Sequence, residues 1–469
     1  MTSSLLINKT DMSSDKSTKP AEDGNRNIDV IFRELAPKPF SRNEKLWTGF
    51  LTILTLLGIY FYIIQLREGL SITGLGDYTT WGIYISNFVF FVAISLVGSL
   101  LGAILKLSGA EWRTPLTRIS EIIALAGIIM AVIVIIIDMG RPDRMLYLIT
   151  HARIQSPIIW DVIVISTYLM MSILFLYIPA IPDFAVMARR MTWLPKWQRN
   201  LYKVLSINWK NSEPQKQILI RAIRILAIAI IPVAFMIHTV TSWLFATTFR
   251  PGWDSSSVGP YFVAGAFMVG AAGVLAAMYV LRKLYSFDLY LTDQHFNYVG
   301  QLLLMLSLVY LYFNLNEYFI PAYKMKSYES HHLHELFSGR MAPLFWLVQI
   351  GGMIIPIAVL LFRNGRKPLI AFIVSIIVII GAWLKRFLIV VPTLAHPLVP
   401  TTRVPESWLH YFPSIPEWFI TFGTLAAALL IMTCLIKYLP VIPIVRTARE
   451  LGYDVNPYFE TFKEEENED

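Results

Sequence analysis

The stretch IIIDMGRPDRMLYLITHARIQSPIIWD, residues 135–161, carries Asp138, Arg141, Asp143, Arg144, His151 and Arg153 and closes on Asp161, between segments that are otherwise apolar. The same intrusion of charge recurs downstream. His238, Glu317, Lys385 and Arg386 interrupt apolar runs, Asp254 follows one in PGWDSSS, and Asp77, Trp81 and Asn87 bracket the start of another. Carboxylates and imidazoles accept and release protons, and a guanidinium can orient a carbonyl or hold an aspartate ionised. Such a set suits a site that exchanges protons with a bound ligand. A plainer reading stands beside it. Asp138 and Asp161 can be helix-end residues, GRPDR can be a turn in which Pro142 stops a helix and Asp143 pairs with Arg141 or Arg144, and His238 can be a core histidine bonded to a hydroxyl.

The elements that must position these residues follow from composition. The 469 residues are 55% hydrophobic and only 15% charged, against roughly a quarter charged in a soluble domain. Apolar runs of about 20 residues recur, each long enough to cross a hydrocarbon core of about 30 Å as a helix. Ten such spans are expected, at 46–66, 81–105, 118–138, 158–179, 219–247, 259–281, 296–320, 343–362, 368–391 and 416–439. The fold class is therefore an all-α polytopic membrane protein. Spans two to five and six to nine are expected as two four-helix bundles, with spans one and ten peripheral. Residues 1–45 lack an apolar signal core and read as a disordered tail, 46–440 as the transmembrane domain and 441–469 as a second tail.

Ten spans put both termini on one side. Lysine and arginine near the span ends are about three times as frequent on that side as on the other, which places the termini in the cytoplasm. The net charge of +8 is thus a topology signal rather than a nucleic-acid footprint. The basic, aromatic segment MARRMTWLPKWQRNLYKV reads as an interfacial stretch against anionic lipid.

Followed from each span's entry side, Asp138, Asp161, His238, Glu317, Lys385 and Arg386 fall in one layer near the outer surface, with Asp254, Asp77 and Trp81 beside it. The cytoplasmic half offers chiefly Glu121, Ser95 and Ser99. This asymmetry disfavours a transporter with a continuous polar route. A pocket of aspartate, histidine and arginine walled by apolar side chains fits an amphipathic molecule with an apolar tail and a proton-exchanging head, as a quinone has. Cys434 is the single cysteine, so this chain cannot supply cysteine ligands for an iron–sulfur cluster or attach a c-type haem. No histidine pair at matched depth suggests b-type haem, and HHLHE at 331–335 lacks the HExxH spacing, so no metal site is expected.

Four motifs, WGIYISNFVFFVAIS from Trp81, IDMGRPDRMLYL from Ile137, SPIIWDVIVISTYL from Ser156 and HTVTSWLFATTFRPGWDSSSVGPYFVAGA from His238, resemble the NrfD-like membrane subunits of polysulfide reductase. They resemble still more the ActC-type quinol-oxidising subunit of bacterial alternative complex III. The resemblance runs over about residues 40–445 and implies a respiratory quinol oxidoreductase subunit of the bacterial inner membrane, active only in a complex. It implies quinol, with menaquinol the expected form, as substrate on the periplasmic side, and no haem or cluster in this chain. Implied partners are an iron–sulfur subunit, multihaem cytochrome c subunits, a second NrfD-like subunit and a terminal cytochrome oxidase. On that reading Asp161, His238, Asp254 and Arg386 carry chemistry, while Asp138, His151, Glu317, Asp77 and Trp81 are pocket candidates. Glu317 and His151 rest on position alone. A membrane anchor that only scaffolds redox partners, and a subunit that moves protons across the membrane, are the competing readings.

Overall fold

The computed structural model describes residues 28–248, 250–324, 326–395, 405 and 410–460. Among them every regular element is helical, and nine helices are long and apolar enough to cross a membrane. The elements used below are α1 (Ile28–Leu35), α2 (Arg42–Glu68), α3 (Ile83–Ser95), α4 (Thr114–Asp138), α5 (Pro157–Tyr177), α6 (Ile181–Arg190), α7 (Lys196–Leu205), α8 (Glu213–Ala246) and α9 (Val258–Tyr285). Then come α10 (Asp293–Lys324), α11 (Ser327–Phe337), α12 (Ala342–Leu361), α13 (Pro368–Leu394), α14 (Ile415–Tyr438) and α15 (Ile444–Glu450).

The expected second span is not a plain α-helix. It starts as α3, passes into a π-helical segment at Gly98–Ile104 and ends at Leu105–Leu107. Glycine allows this close packing. A Cβ on Gly98 would lie 2.6 Å from the Ala124 Cβ, and one on Gly102 would lie 2.5 Å from the Phe175 ring. A second π segment, Leu347–Ile354, sits inside α12. Such segments occur mostly as local insertions in α-helices and often mark functional positions.

Helices α3, α4, α5 and α8 form one four-helix bundle, and α9, α10, α12 and α13 form another. Helix α9 joins them by packing on α3 and α8, with small residues at the seam; a Cβ on Gly270 would lie 2.8 Å from the Val97 Cβ. Without a hydrophobic drive between helices in lipid, such close backbone approach is what holds spans together. The first and last spans, α2 and α14, pair on the outside, where a Cβ on Gly58 would come within 2.8 Å of the Gly423 Cα. Both start at a capping box, Ser41 with Glu44 and Ser414 with Glu417, which satisfies two free N–H groups at each helix start. Leu46, Phe50 and Ile53 of α2 and Ile218, Ile225 and Ile228 of α8 are exposed, as suits side chains that meet acyl chains.

Two stretches expected as tails are in part packed structure. Ile28, Ile31, Phe32 and Leu35 of α1 are buried, because apolar residues at i, i+3, i+4 and i+7 make one helix face. Helix α1 lies on α15, whose Ile444, Val445 and Ala448 are buried too. Residues 1–27 and 461–469 lie outside the described residues. Since α1 and α15 meet, the side of the molecule they occupy is called the terminal face, and its opposite the distal face.

Candidate functional site

Asp161 is positioned by Ser156 and Pro157, which start α5 so that the aspartate falls in its second turn. The side chain is 5% exposed, and its Oδ1 accepts a 2.7 Å hydrogen bond from Thr241 Oγ1 on α8. His238 lies three residues before Thr241, on the same face of α8. It is 1% exposed, its ring bonds the Val92 carbonyl of α3, and its Nε2 makes no hydrogen bond with protein. Arg386, 3% exposed on α13, lies close enough for its charge to bear on His238. Its Nη1 donates to Tyr310 Oη at 3.4 Å, while Nε has no acceptor. Gly265 of α9 makes room for it, since a Cβ there would lie 2.9 Å from Arg386 Nη2 and 2.7 Å from the Tyr310 ring. Of the four residues expected to do chemistry, His238 and Arg386 thus meet at the seam between the bundles, while Asp161 lies within the first bundle and is tied to the helix of His238 through Thr241; all three are in the half of the spans nearer the distal face.

The fourth, Asp254, is exposed in the loop after α8. It follows Trp253, which is buried, donates from Nε1 to the Ile389 carbonyl at 2.7 Å and stacks on Trp81 with centroids 5.8 Å apart. Phe245, at the end of α8, packs edge-on against both tryptophans at 5.0 and 5.4 Å. Trp81 therefore belongs to an aromatic cap over the distal end of the seam. Asp77 and His151 are exposed and outside it; His151 pairs with Thr150 and packs edge-on against Tyr147.

Asp138 and Asp161, expected to face one pocket, do not. Asp138 ends α4 on the side of α2, α3 and α14, where its neighbours in charge are Glu417 and Tyr84 and its Oδ1 has no partner. Around it, Tyr84 Oη donates to Gln65 Oε1 at 2.7 Å and Gln65 Nε2 to the Ile137 carbonyl at 3.0 Å. Glu417 is fully buried and accepts from Gly74 N at 2.7 Å, Ser414 N at 2.8 Å and Tyr411 Oη at 2.6 Å. Burial and the Glu417 charge push the Tyr411 phenol well above its ordinary value, so it stays a donor. Two aspartates at one depth can point to opposite sides of a bundle, because depth fixes distance along a helix and not its azimuth. The turn between them is tied as expected, with Arg141 Nε and Nη2 each 3.1 Å from Asp143 and the Asp143 carboxyl held below its usual range.

The second bundle holds a network that the sequence reading missed. Tyr310 Oη donates to Tyr261 Oη at 3.1 Å, Tyr261 to Asn314 Oδ1 at 3.3 Å, Asn314 Nδ2 to Gln349 Oε1 at 2.8 Å and Gln349 Nε2 to Tyr318 Oη at 3.4 Å. Lys385 also donates to Tyr318 Oη. The rings of Tyr261 and Tyr310 are parallel, 5.0 Å apart. The signal was present: Ser307, Tyr310, Asn314 and Glu317, all buried, form a polar stripe at helical spacing along an apolar span. Glu317 borders a separate cavity near the distal face rather than the seam at His238 and Arg386.

The terminal half is also less empty than expected. Arg118 Nη2 lies 3.1 Å from Asp183 Oδ2, Asp183 accepts from Val445 N at 2.9 Å, and Glu121 lies beside Arg118 with both oxygens unbonded. Nearby, Tyr168 donates to the Ser95 carbonyl at 2.7 Å, close to Ser99 and Ser172. As for metals, no group of three His, Cys, Asp or Glu side chains converges among the described residues. The HHLHE run lies on α11, which turns His331 and His334 outward and His332 inward.

Comparison with known proteins places this architecture. The protein is 26% identical over 430 residues to a Halobacterium salinarum protein named for the membrane component of a dimethyl sulfoxide reductase, covering 87% of this chain and 93% of that one. It is 22% identical to the menaquinone reductase integral membrane subunit of Nitratidesulfovibrio vulgaris, over 90% of this chain and 98% of that one. To the Hdr-like menaquinol oxidoreductase integral membrane subunit of Archaeoglobus fulgidus it is 21% identical, over 84% and 92%. Residues 72–397 match the family described as polysulphide reductase, NrfD, and the chain belongs to it.

Proposed function

We propose, with membership of the NrfD family as the premise, that this chain is the quinone-reactive membrane subunit of a respiratory oxidoreductase complex and that it oxidises quinol at the seam between its bundles. The observation that carries the reading is a set of three buried groups, His238 and Arg386 near one another and each with an unbonded nitrogen, and Asp161 bonded to Thr241 on the helix of His238. Oxidising a quinol releases two electrons and two protons, so the site needs acceptors for two hydroxyl protons and a path outward. The Asp161 carboxylate and the free Nε2 of His238 are suitable acceptors, and Arg386 is placed to hold a carbonyl as it forms. Ile158, exposed one turn before Asp161 on α5, would let an isoprenoid tail remain in lipid while the head reaches inward. Two relatives whose names contain menaquinone or menaquinol support that substrate.

The finer assignment follows the same reading. The site lies toward the periplasm, the termini are cytoplasmic and the membrane is the bacterial inner membrane. The electrons leave for an iron–sulfur partner in an assembly of the alternative complex III type, with multihaem cytochrome c subunits, a second NrfD-like subunit and a terminal cytochrome oxidase, while Asp254 receives protons at the mouth. A second reading, that protons also cross the whole membrane, draws on the buried Glu121 with its unbonded oxygens in the terminal half.

Asp161→Asn tests the main proposal. Quinol oxidation by the complex should fall about 1000-fold, within the range of a lost general base, with weaker binding of a quinol analogue. Wild-type turnover and affinity would rule out the assignment and favour a scaffold.

A further inference from the structure

The cavity that Glu317 borders lies under the distal loops of the second bundle and measures about 30 Å³, enough for about one water molecule. The charged and titratable groups facing it come from every element around it: Glu317 and Tyr318 from α10, Glu329 and His332 from α11, Lys385 from α13 and Tyr261 from α9. Two of them are buried carboxylates with an oxygen that makes no hydrogen bond, Oε2 of Glu317 and Oε2 of Glu329. Glu317 is otherwise held by Ser255, next to the exposed Asp254. Lys385 leans over the Tyr318 ring, 4.7 Å from its centroid.

This cavity is joined to the seam between the bundles by two hydroxyls. Arg386 donates to Tyr310, Tyr310 donates to Tyr261 at 3.1 Å, and Tyr261 lines the cavity. Asn314 and Gln349 hold the tyrosines from behind, Asn314 accepting from Tyr261 and Gln349 donating to Tyr318. They are positioning residues, since amides do not readily carry protons.

We propose that the cavity is a proton-release chamber serving the quinol site of the first bundle, an inference that rests on the quinol reading above. A proton given up at His238, beside Arg386, passes along Tyr310 to Tyr261, whose hydroxyl turns from Asn314 Oδ1 into the cavity that it and Glu317 both line and hands the proton to the Glu317 carboxylate, which the Lys385 ammonium faces. It then crosses the cavity to the Glu329 carboxylate and leaves to the distal solvent past Asp254. Each hydroxyl regains the proton it hands on, so the relay ends unchanged and the two protons of one quinol leave in turn. The electrons do not take this route.

The test uses the complex purified with the full-length chain, menadiol as quinol, ferricyanide as acceptor and 2-heptyl-4-hydroxyquinoline N-oxide as binding probe. Glu329→Gln and Glu317→Gln should each slow oxidation about 100-fold, shift the pH profile and raise the solvent deuterium isotope effect, with Glu329→Asp recovering most of the rate. Binding of the N-oxide by Glu329→Gln should equal wild type. Wild-type rates and pH profiles in both glutamine variants would overturn the chamber and leave the quinol site standing. Loss of N-oxide binding together with activity in Glu329→Gln would also overturn it, because the residue would then be shaping the site. Failure of the wild type to bind the N-oxide would instead defeat the quinol reading, and the chamber with it.

Discussion

The two bundles are built alike, four helices each with a π-helical segment in one, yet they treat the polar groups at their centres differently. In the first, Asp161 has one side-chain partner, and His238 leaves a ring nitrogen unbonded. In the second, Tyr310, Tyr261, Asn314, Gln349, Tyr318 and Lys385 form an unbroken chain of donors and acceptors. An unsatisfied buried group costs about 1–3 kcal/mol, and a completed network rigidifies what surrounds it. The open nitrogen of His238 is therefore available to a ligand, while in the second bundle the Asn314 and Gln349 amides fix the tyrosines and the openings lie at its margins, at Arg386 Nε and at the Glu317 carboxylate on the cavity.

That contrast can be broken by substitution. His238→Leu should cost the most activity, about 100-fold in quinol oxidation, with little change in the thermal midpoint of the detergent-solubilised protein, because only the Val92 contact is lost. A large loss of stability would mean that the histidine is structural. Gln349→Leu should behave in reverse. Stranding Asn314 Nδ2 should cost about 1–3 kcal/mol of stability, read as a lowered thermal midpoint, while turnover falls less than for His238→Leu. Arg141→Ala, outside both bundles, should leave both measurements at wild-type values near neutral pH, as expected of an exposed pair. Because Arg141 holds the Asp143 carboxyl below its usual range, any contribution of the pair is present above the ordinary carboxylate value and is lost as pH falls through the lowered one. A variant effect confined to acid pH, below the lowered value, would contradict that sign.

Much of this was legible beforehand, for physical reasons that also explain the gaps. Hydropathy over a window reports immersion in hydrocarbon, so nine helices and the interrupted α3 segment coincide with the ten expected spans. Charge position along a span reports depth, so the layer containing Asp161, His238 and Arg386 was readable. Azimuth was not, because it depends on which neighbour each helix face meets. Depth alone therefore groups Asp138 with Asp161, although they face different helices. The α1 face at Ile28, Ile31, Phe32 and Leu35 and the stripe Ser307, Tyr310, Asn314 and Glu317 were readable by period. Period alone does not single them out, because a short helix beside a polar tail and a tyrosine in a span both have common, uninformative explanations.

The π-helical segments set how two of the spans respond to a change in length. Each holds one residue more than the same rise of α-helix would, so removing one there restores ordinary α geometry with the helix beyond nearly in register, whereas a deletion in a plain α-helix rotates everything beyond it by about 100°. In α12 the segment contains Gln349, Gly351 and Gly352. One-codon deletions in Gly98–Ile104 and Leu347–Ile354 should accordingly be better tolerated than one in the middle of α4, which has no such slack.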